Sequence, residues 1–145
     1  MIGRELFEIR KRRAQTHATD FLTVGGMGHA SQIACSIASA LPNRRVICLD
    51  GDGALLMHTG GMAECARQSN LMHIILNNGA HDSVGGQPTV AFNINLQKVA
   101  EGFGYSNIIN ATTAKEIKRT LDRRPEGSMF LEIRCKRGNR KDLGR

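Results

Sequence analysis

Short unbroken apolar runs alternate along this chain with stretches whose apolar residues recur at helical spacing. Ile2, Leu6, Phe7 and Ile9 form one stripe over residues 2–10 and predict a short amphipathic helix running into the basic cluster Arg10–Arg13, followed by a polar linker from Ala14 to Asp20. Phe21–Val24, ending at Gly25-Gly26, predicts a buried strand. Ile33, Ile37 and Leu41 predict a helix over Ala30–Leu41 that Pro42 stops. Val46–Leu49 and Met72–Leu76 predict two more buried strands, with a helix marked by Met62, Cys65 and Ala66 between them. A Gly-rich polar loop runs from Ala80 to Thr89. Leu96, Val99, Ala100 and Phe103 predict a helix capped by Asn95, and Asn107–Ile109 a short strand. Thr113 and Glu116 form a capping-box pattern opening a helix that Pro125 ends, and Met129–Ile133 is the last predicted strand.

This alternation predicts an α/β fold, a mostly parallel sheet with helices on both faces. Right-handed crossovers would bring the C-terminal ends of the strands to one edge, where ligands bind in such folds. The three least ordinary segments fall at that edge: Gly25–His29, Asp50–Gly53 and Asn77–Thr89. Residues 1–20 are expected to be a helix and linker, 21–134 the α/β domain, and 135–145 a basic tail in loop or disorder.

The chain's 145 residues fit one domain, and 41% apolar composition is ordinary for a globular core. No apolar run approaches the roughly 20 residues that cross a bilayer, and no signal-like segment follows a basic start, so a cytoplasmic setting without membrane contact is expected. Cys35, Cys48, Cys65 and Cys135 form no C-x-x-C pair and are expected to be reduced, largely core residues. The net charge of +7 sits at the ends: residues 1–13 carry five Lys/Arg against two Asp/Glu, and 115–145 eleven against five. With one Tyr, no Trp and no aromatic residues among the basic ones, nucleic acid is not an expected partner. The basic ends read instead as solvated, or as contacts to a neighbouring chain.

The candidate chemistry lies in two turns. Asp52 stands between Gly51 and Gly53 directly after a predicted strand, and Asn78 follows 26 positions later at the end of the next one. One crossover of that length sets adjacent parallel strand ends side by side, so a carboxylate and an amide oxygen converge. Mg²⁺ takes hard oxygens in an octahedral set, few from protein and the rest from phosphate and water. Glycines beside the carboxylate let backbone amides approach an anion. Either turn alone would be only a turn; the pair at this spacing is more specific.

G-D-G followed by N-N at this separation resembles the diphosphate-and-metal signature of thiamine diphosphate enzymes. The resemblance implies Asp52 and Asn78 as side-chain ligands of Mg²⁺ and the Ala80 carbonyl as a third ligand. It also implies backbone contacts to the diphosphate around Gly51, Gly53 and Ala54. Gly25-Gly26-Met27-Gly28 is similar to the family's loop around the aminopyrimidine ring. There Gly25 would accept from the amino group, and Met27 would be the apolar wedge that bends the cofactor. The run Asn77-Asn78-Gly79-Ala80-His81-Asp82-Ser83-Val84-Gly85-Gly86-Gln87-Pro88-Thr89 narrows the resemblance to the phosphonopyruvate decarboxylases, and less closely to sulfopyruvate decarboxylases. Gly26 departs from that pattern, where Ser is expected.

By that resemblance the reaction is decarboxylation of 3-phosphonopyruvate, with sulfopyruvate or another small 2-oxo acid as the alternative substrate. His81 and His29 are the candidates for returning a proton, since His titrates near neutral pH; His58 and His73 are expected to be structural. Ser83, Gly85, Gly86, Gln87 and Thr89 offer amides and polar side chains for the substrate's distal anion. The family pairs this domain with a pyrimidine-binding domain that supplies a glutamate. Glu5 and Glu8, placed in an exposed helix, and Glu64, facing away from the edge, do not take that role. The chain is therefore expected to be a piece of a longer enzyme or a separate subunit, completed by a pyrimidine-binding domain or subunit in a homo-oligomer.

Overall fold

Four of the five predicted apolar runs become the sheet. The computed structural model describes residues 1–123, 125–138, 140, 142 and 143. Strands β1 (Val46–Gly51), β2 (Leu71–Asn77), β5 (Asn107–Ala111) and β6 (Met129–Arg134) pair in the order β1-β2-β6-β5, and every pairing is parallel. Two short strands, β3 (Ala80–His81) and β4 (Gln87–Pro88), form a separate antiparallel ladder inside the predicted loop. The helices are α1 (Ile2–Arg12), α2 (Ala30–Ala40), α3 (Asp52–Met57), α4 (Met62–Ala66), α5 (Leu96–Gly102) and α6 (Ala114–Arg123).

The sheet is covered on both faces, as all-parallel sheets require. On one side Ala34, Ala38, Leu55, Met62, Cys65, Leu96 and Ala100 pack on Cys48, Leu71, Ile75 and Phe130. Small residues on α2 let that helix lie close to β1. On the other side Met72, Ile74, Met129 and Leu131 pack with Ala111 of β5 and Ile117 of α6. Phe130 is fully buried and makes edge contacts with the rings of His73 and Tyr105, at centroid distances of 5.8 and 5.5 Å.

The helix ends follow the local chemistry. Asn95 Oδ1 accepts from the Lys98 amide at 2.9 Å and caps α5. At α6 the capping box closes in both directions: the Glu116 amide donates to Thr113 Oγ1, and Glu116 Oε2 accepts from the amides of Thr112 and Thr113.

Two expectations are corrected. Phe21–Val24 is not a strand but an irregular segment outside the sheet, with Phe21 66% and Val24 94% exposed. An apolar run signals that something covers it, not that a sheet of the same chain does. The described part of the tail is loop, as expected, but it is tied down: the Arg140 guanidinium pairs with Glu5 at 3.0 Å, with Glu8 and with Asp142 at 2.9 Å. Asn139, Lys141, Gly144 and Arg145 of that tail lie outside the described residues. Consequently Glu5 and Glu8 are half-buried and ion-paired rather than free on an exposed helix.

Phe130→Ala removes the ring joining β6 to β2, and it should cost about 3–5 kcal/mol in a urea titration. Glu116 is held below its ordinary 4.5 by the amide of Thr112, then by the hydroxyl and amide of Thr113. A depressed carboxylate lends stability that is full above its unfolded value and lost as pH falls through its folded one. Glu116→Gln should therefore flatten the acid limb of the stability profile below about pH 4.5, read by thermal denaturation at stepped pH.

Candidate functional site

In the β1–β2 register Gly51 sits opposite Leu76, so the residues that follow, Asp52 and Asn77-Asn78, emerge side by side. Asp52 is the first residue of α3 and only 1% exposed. Its Oδ1 accepts from the Asn78 amide at 3.4 Å and its Oδ2 from the Thr89 hydroxyl at 2.5 Å. Among the described residues no Lys, Arg or His pairs with it. Asn78 Oδ1 accepts from the Ala80 amide at 3.1 Å, and its Nδ2 donates to Asp82 Oδ2 at 2.5 Å. Cys135, whose amide donates to the Asn77 carbonyl at 2.8 Å, is the next neighbour. Burial, and after it the Asp52 charge, push its thiol pKa up.

A buried scaffold beneath the turn was not foreseen. Asn77 is fully buried, donates to Glu132 Oε1 at 2.6 Å and accepts from the Gly79 amide at 3.1 Å. Glu132, 1% exposed, also takes a hydrogen bond from Gln97 and lies 3.3 Å from the Arg134 guanidinium. That guanidinium stands over the Phe92 ring at 4.8 Å. Gly79 has φ +65, and a Cβ there would lie 2.7 Å from the same ring. The available signal was Glu132 itself, a charge inside the otherwise apolar run Met129–Ile133.

The loop after β2 carries most of the remaining candidates. Ala80 is buried and pairs with Pro88; His81 pairs with Gln87. The His81 imidazole lies against Gly53, where a side chain would overlap it, and its buried Nδ1 has no hydrogen-bond partner. Gly53 is thus required by its neighbour. Ser83, Gly85, Gly86 and Gln87 form the exposed tip of the loop, with φ +120 at Gly85 and +77 at Gly86. Thr89 differs from the others, because its hydroxyl is turned inward onto Asp52 instead of outward with the tip.

The first candidate segment meets the site from the other end of α3. Gly28 has φ +87, and a Cβ there would lie 2.5 Å from His58 Nδ1 and 3.1 Å from Met57. His29 stacks on His58 at 4.3 Å, Met27 is half-buried, and Gly25 is exposed with φ +74. Gly51 and Ala54 are half-buried on either side of the Asp52–Gly53 turn.

A second polar group lies deeper. Ligand atoms of Cys48, Asp50 and His73 fall within 4.8 Å of one another, all buried. His73 Nδ1 is bonded to the Tyr105 hydroxyl at 3.0 Å, and Nε2 faces Asp50 at 3.6 Å. Burial, then the Asp50 charge, drive the Cys48 thiol well above its ordinary range, which favours the protonated form over a thiolate ligand. These side chains act as polar contacts inside the core. All four cysteines are free.

The donor set at the sheet edge fits a hard divalent cation. It offers a carboxylate and a side-chain amide oxygen, and among the described residues the buried carboxylate is met only by neutral donors. Residues 2–133 match the family described as thiamine pyrophosphate enzyme, C-terminal TPP binding domain. The chain is 32% identical over 99% of its length to a phosphonopyruvate decarboxylase of Streptomyces viridochromogenes, of which it covers 36%. It is 37% identical over 94% of its length to the sulfopyruvate decarboxylase subunit beta of Methanothermobacter thermautotrophicus, of which it covers 70%. The chain thus spans about a third of the phosphonopyruvate decarboxylase and most of the beta subunit. Among solved structures, a thiamine diphosphate-dependent 4-hydroxybenzoylformate decarboxylase of Rhodococcus jostii has the same fold, with TM-score 0.66 and 22% identity over 79% of this chain and 24% of the other.

Gly79→Ala should destabilise the protein by roughly 1–3 kcal/mol, because it forces a side chain into positive φ against Phe92. Chemical denaturation measures this.

Proposed function

This chain belongs to the thiamine pyrophosphate enzymes as their C-terminal TPP binding domain, and from that premise we propose that it forms the diphosphate- and Mg²⁺-binding half of a decarboxylase acting on 3-phosphonopyruvate. The observation that carries this is Asp52: a carboxylate 1% exposed at the ligand edge of a parallel sheet, beside Asn78, without a cationic partner among the described residues. A buried charge left in that condition is costly, and a bound cation would remove the cost.

Asp52 and Asn78 would hold Mg²⁺ through their side chains and Ala80 through its carbonyl, while Gly51, Gly53 and Ala54 would meet the diphosphate with their backbones. Gly25 and Met27 would support the aminopyrimidine ring. Thiamine diphosphate, when bound, supplies the electron sink that lets CO₂ leave a 2-oxo acid. The loop tip, Ser83, Gly85, Gly86 and Gln87, would receive the substrate's terminal anion. Thr89, bonded to Asp52, would help to steady the cation ligand. His81 or His29 would hold the proton returned to the product; His81 is the nearer to the Gly53 turn.

Sulfopyruvate is the second reading, supported by the 37% identity to a sulfopyruvate decarboxylase beta subunit. The two substrates share a 2-oxo acid and a tetrahedral anionic end, so turnover of both by the assembled enzyme separates the readings. A pyrimidine-binding domain, elsewhere in the same protein or in a partner chain, would close the other side of the cofactor in an oligomer. The exposed apolar segment Phe21, Leu22 and Val24, leading into Gly25, supports such a neighbour. The small-molecule site needs neither nucleic acid nor membrane, and no described helix is long and apolar enough to cross one; a cytoplasmic setting follows from this reading.

Calorimetric titration of thiamine diphosphate with Mg²⁺ tests the assignment. The wild-type chain should bind only when Mg²⁺ is present, and Asp52→Asn should abolish that dependence. The same substitution should leave the metal-free protein as stable or more so, because it removes an uncompensated buried charge. Equal Mg²⁺-dependent binding by both proteins would overturn the proposal.

A further inference from the structure

We propose that Asp82 is a positioning residue, which fixes the side-chain amide of Asn78 so that its oxygen, and not its nitrogen, is presented to the cation. This inference rests on the cofactor reading above and adds to it a residue outside the ligand set.

The argument is one of donors and acceptors. A side-chain amide is nearly symmetric in shape, so nothing steric distinguishes oxygen from nitrogen. At Asn78 the two neighbours do distinguish them. Asp82 Oδ2, an acceptor, lies 2.5 Å from Nδ2. The Ala80 amide, which can only donate, lies 3.1 Å from Oδ1. Reversing the amide would set oxygen against carboxylate on one side and two N–H donors together on the other. Only one lone pair of Oδ1 is taken by Ala80, and the other remains for a cation. The charge-assisted bond to Asp82 is the stronger of the two constraints.

Asp82 is itself held. The same Oδ2 accepts from the Gly138 amide at 2.9 Å, which ties the carboxylate to the chain beyond β6. It starts the 3₁₀ turn Asp82–Val84 and is half-buried. Two donors converging on one oxygen leave it little freedom to swing away. Outer-sphere partners of this kind orient metal ligands, and losing one typically weakens metal affinity by roughly 10–100-fold.

The test is titration of the 145-residue chain with the Mg²⁺–thiamine diphosphate complex, and separately with thiamine diphosphate in a chelator. Asp82→Ala should weaken binding of the complex by about 10-fold or more, while thiamine diphosphate in chelator binds neither protein. Asp82→Asn keeps an acceptor facing Asn78 Nδ2 and should restore affinity close to wild type. If Asp82→Ala binds the complex as tightly as wild type, the inference fails. If a folded Asp82→Asn is as weak as Asp82→Ala, charge or direct ligation is at work, and orientation of Asn78 is not. Where Asp82→Ala does not fold by circular dichroism, Asp82→Asn against wild type decides: retained affinity supports the inference, and lost affinity overturns it. Wild type showing no Mg²⁺-dependent binding would instead overturn the cofactor reading itself.

Discussion

A carboxylate buried at the edge of a parallel sheet, met by neutral donors, is the constraint around which this domain is arranged. Asp52 is 1% exposed, and among the described residues its two oxygens accept hydrogen bonds from an amide and a hydroxyl alone. Removing an ion from water without a counter-charge costs several kcal/mol, on the order of the whole stability margin of a small domain. A fold can carry such a group when binding restores the balance, and the elements nearby serve to keep it in place until then. β1 and β2 pair in the register that sets Asp52 beside Asn78. The loop returns through Thr89 to close over the carboxylate, its amide bonded to the Gly79 carbonyl at 3.0 Å and its hydroxyl to Asp52.

Below this surface lies a second layer whose task is rigidity. Asn77 points into the protein where Asn78 points to the site, so the pair of asparagines divides one turn between support and function. Asn77 is gripped by Glu132, and Glu132 is satisfied by Gln97 and Arg134, so its buried charge is compensated where that of Asp52 is not. The contrast is informative. Three buried carboxylates lie near the strand tips: Glu132 is paired with Arg134, Asp50 faces the His73 ring, and Asp52 at the ligand edge meets an amide and a hydroxyl.

Much of the fold was legible because the code that specifies it is local. The apolar runs at Val46, Met72, Asn107 and Met129 were long enough, and punctuated sharply enough, to read as strands. Asn95 and the Thr113–Glu116 box marked helix starts at the residues where the caps now sit. The pairing of Asp52 with Asn78 was legible from spacing, since one crossover between neighbouring parallel strands leaves few alternatives. What was not legible is long-range. The Asn77–Glu132 bond spans 55 positions and the bond from Arg140 to Glu5 spans 135, and no periodicity reports on either. Glu5 and Glu8 read as lying in an exposed helix, but Arg140 of the tail folds back onto them.

The misreading of Phe21–Val24 carries the most physical content. The run has the composition of a buried strand, and its exposure, 94% at Val24, is what a folded domain avoids without reason. Apolar patterning records the environment in which a sequence works, and that environment can include surfaces the chain does not itself supply. The segment leads into Gly25–Gly28, and Gly28 lies against Met57 and His58 at the end of α3 away from Asp52. An uncovered apolar run continuous in the chain with a candidate cofactor loop is the arrangement expected of a binding site shared between two folded units.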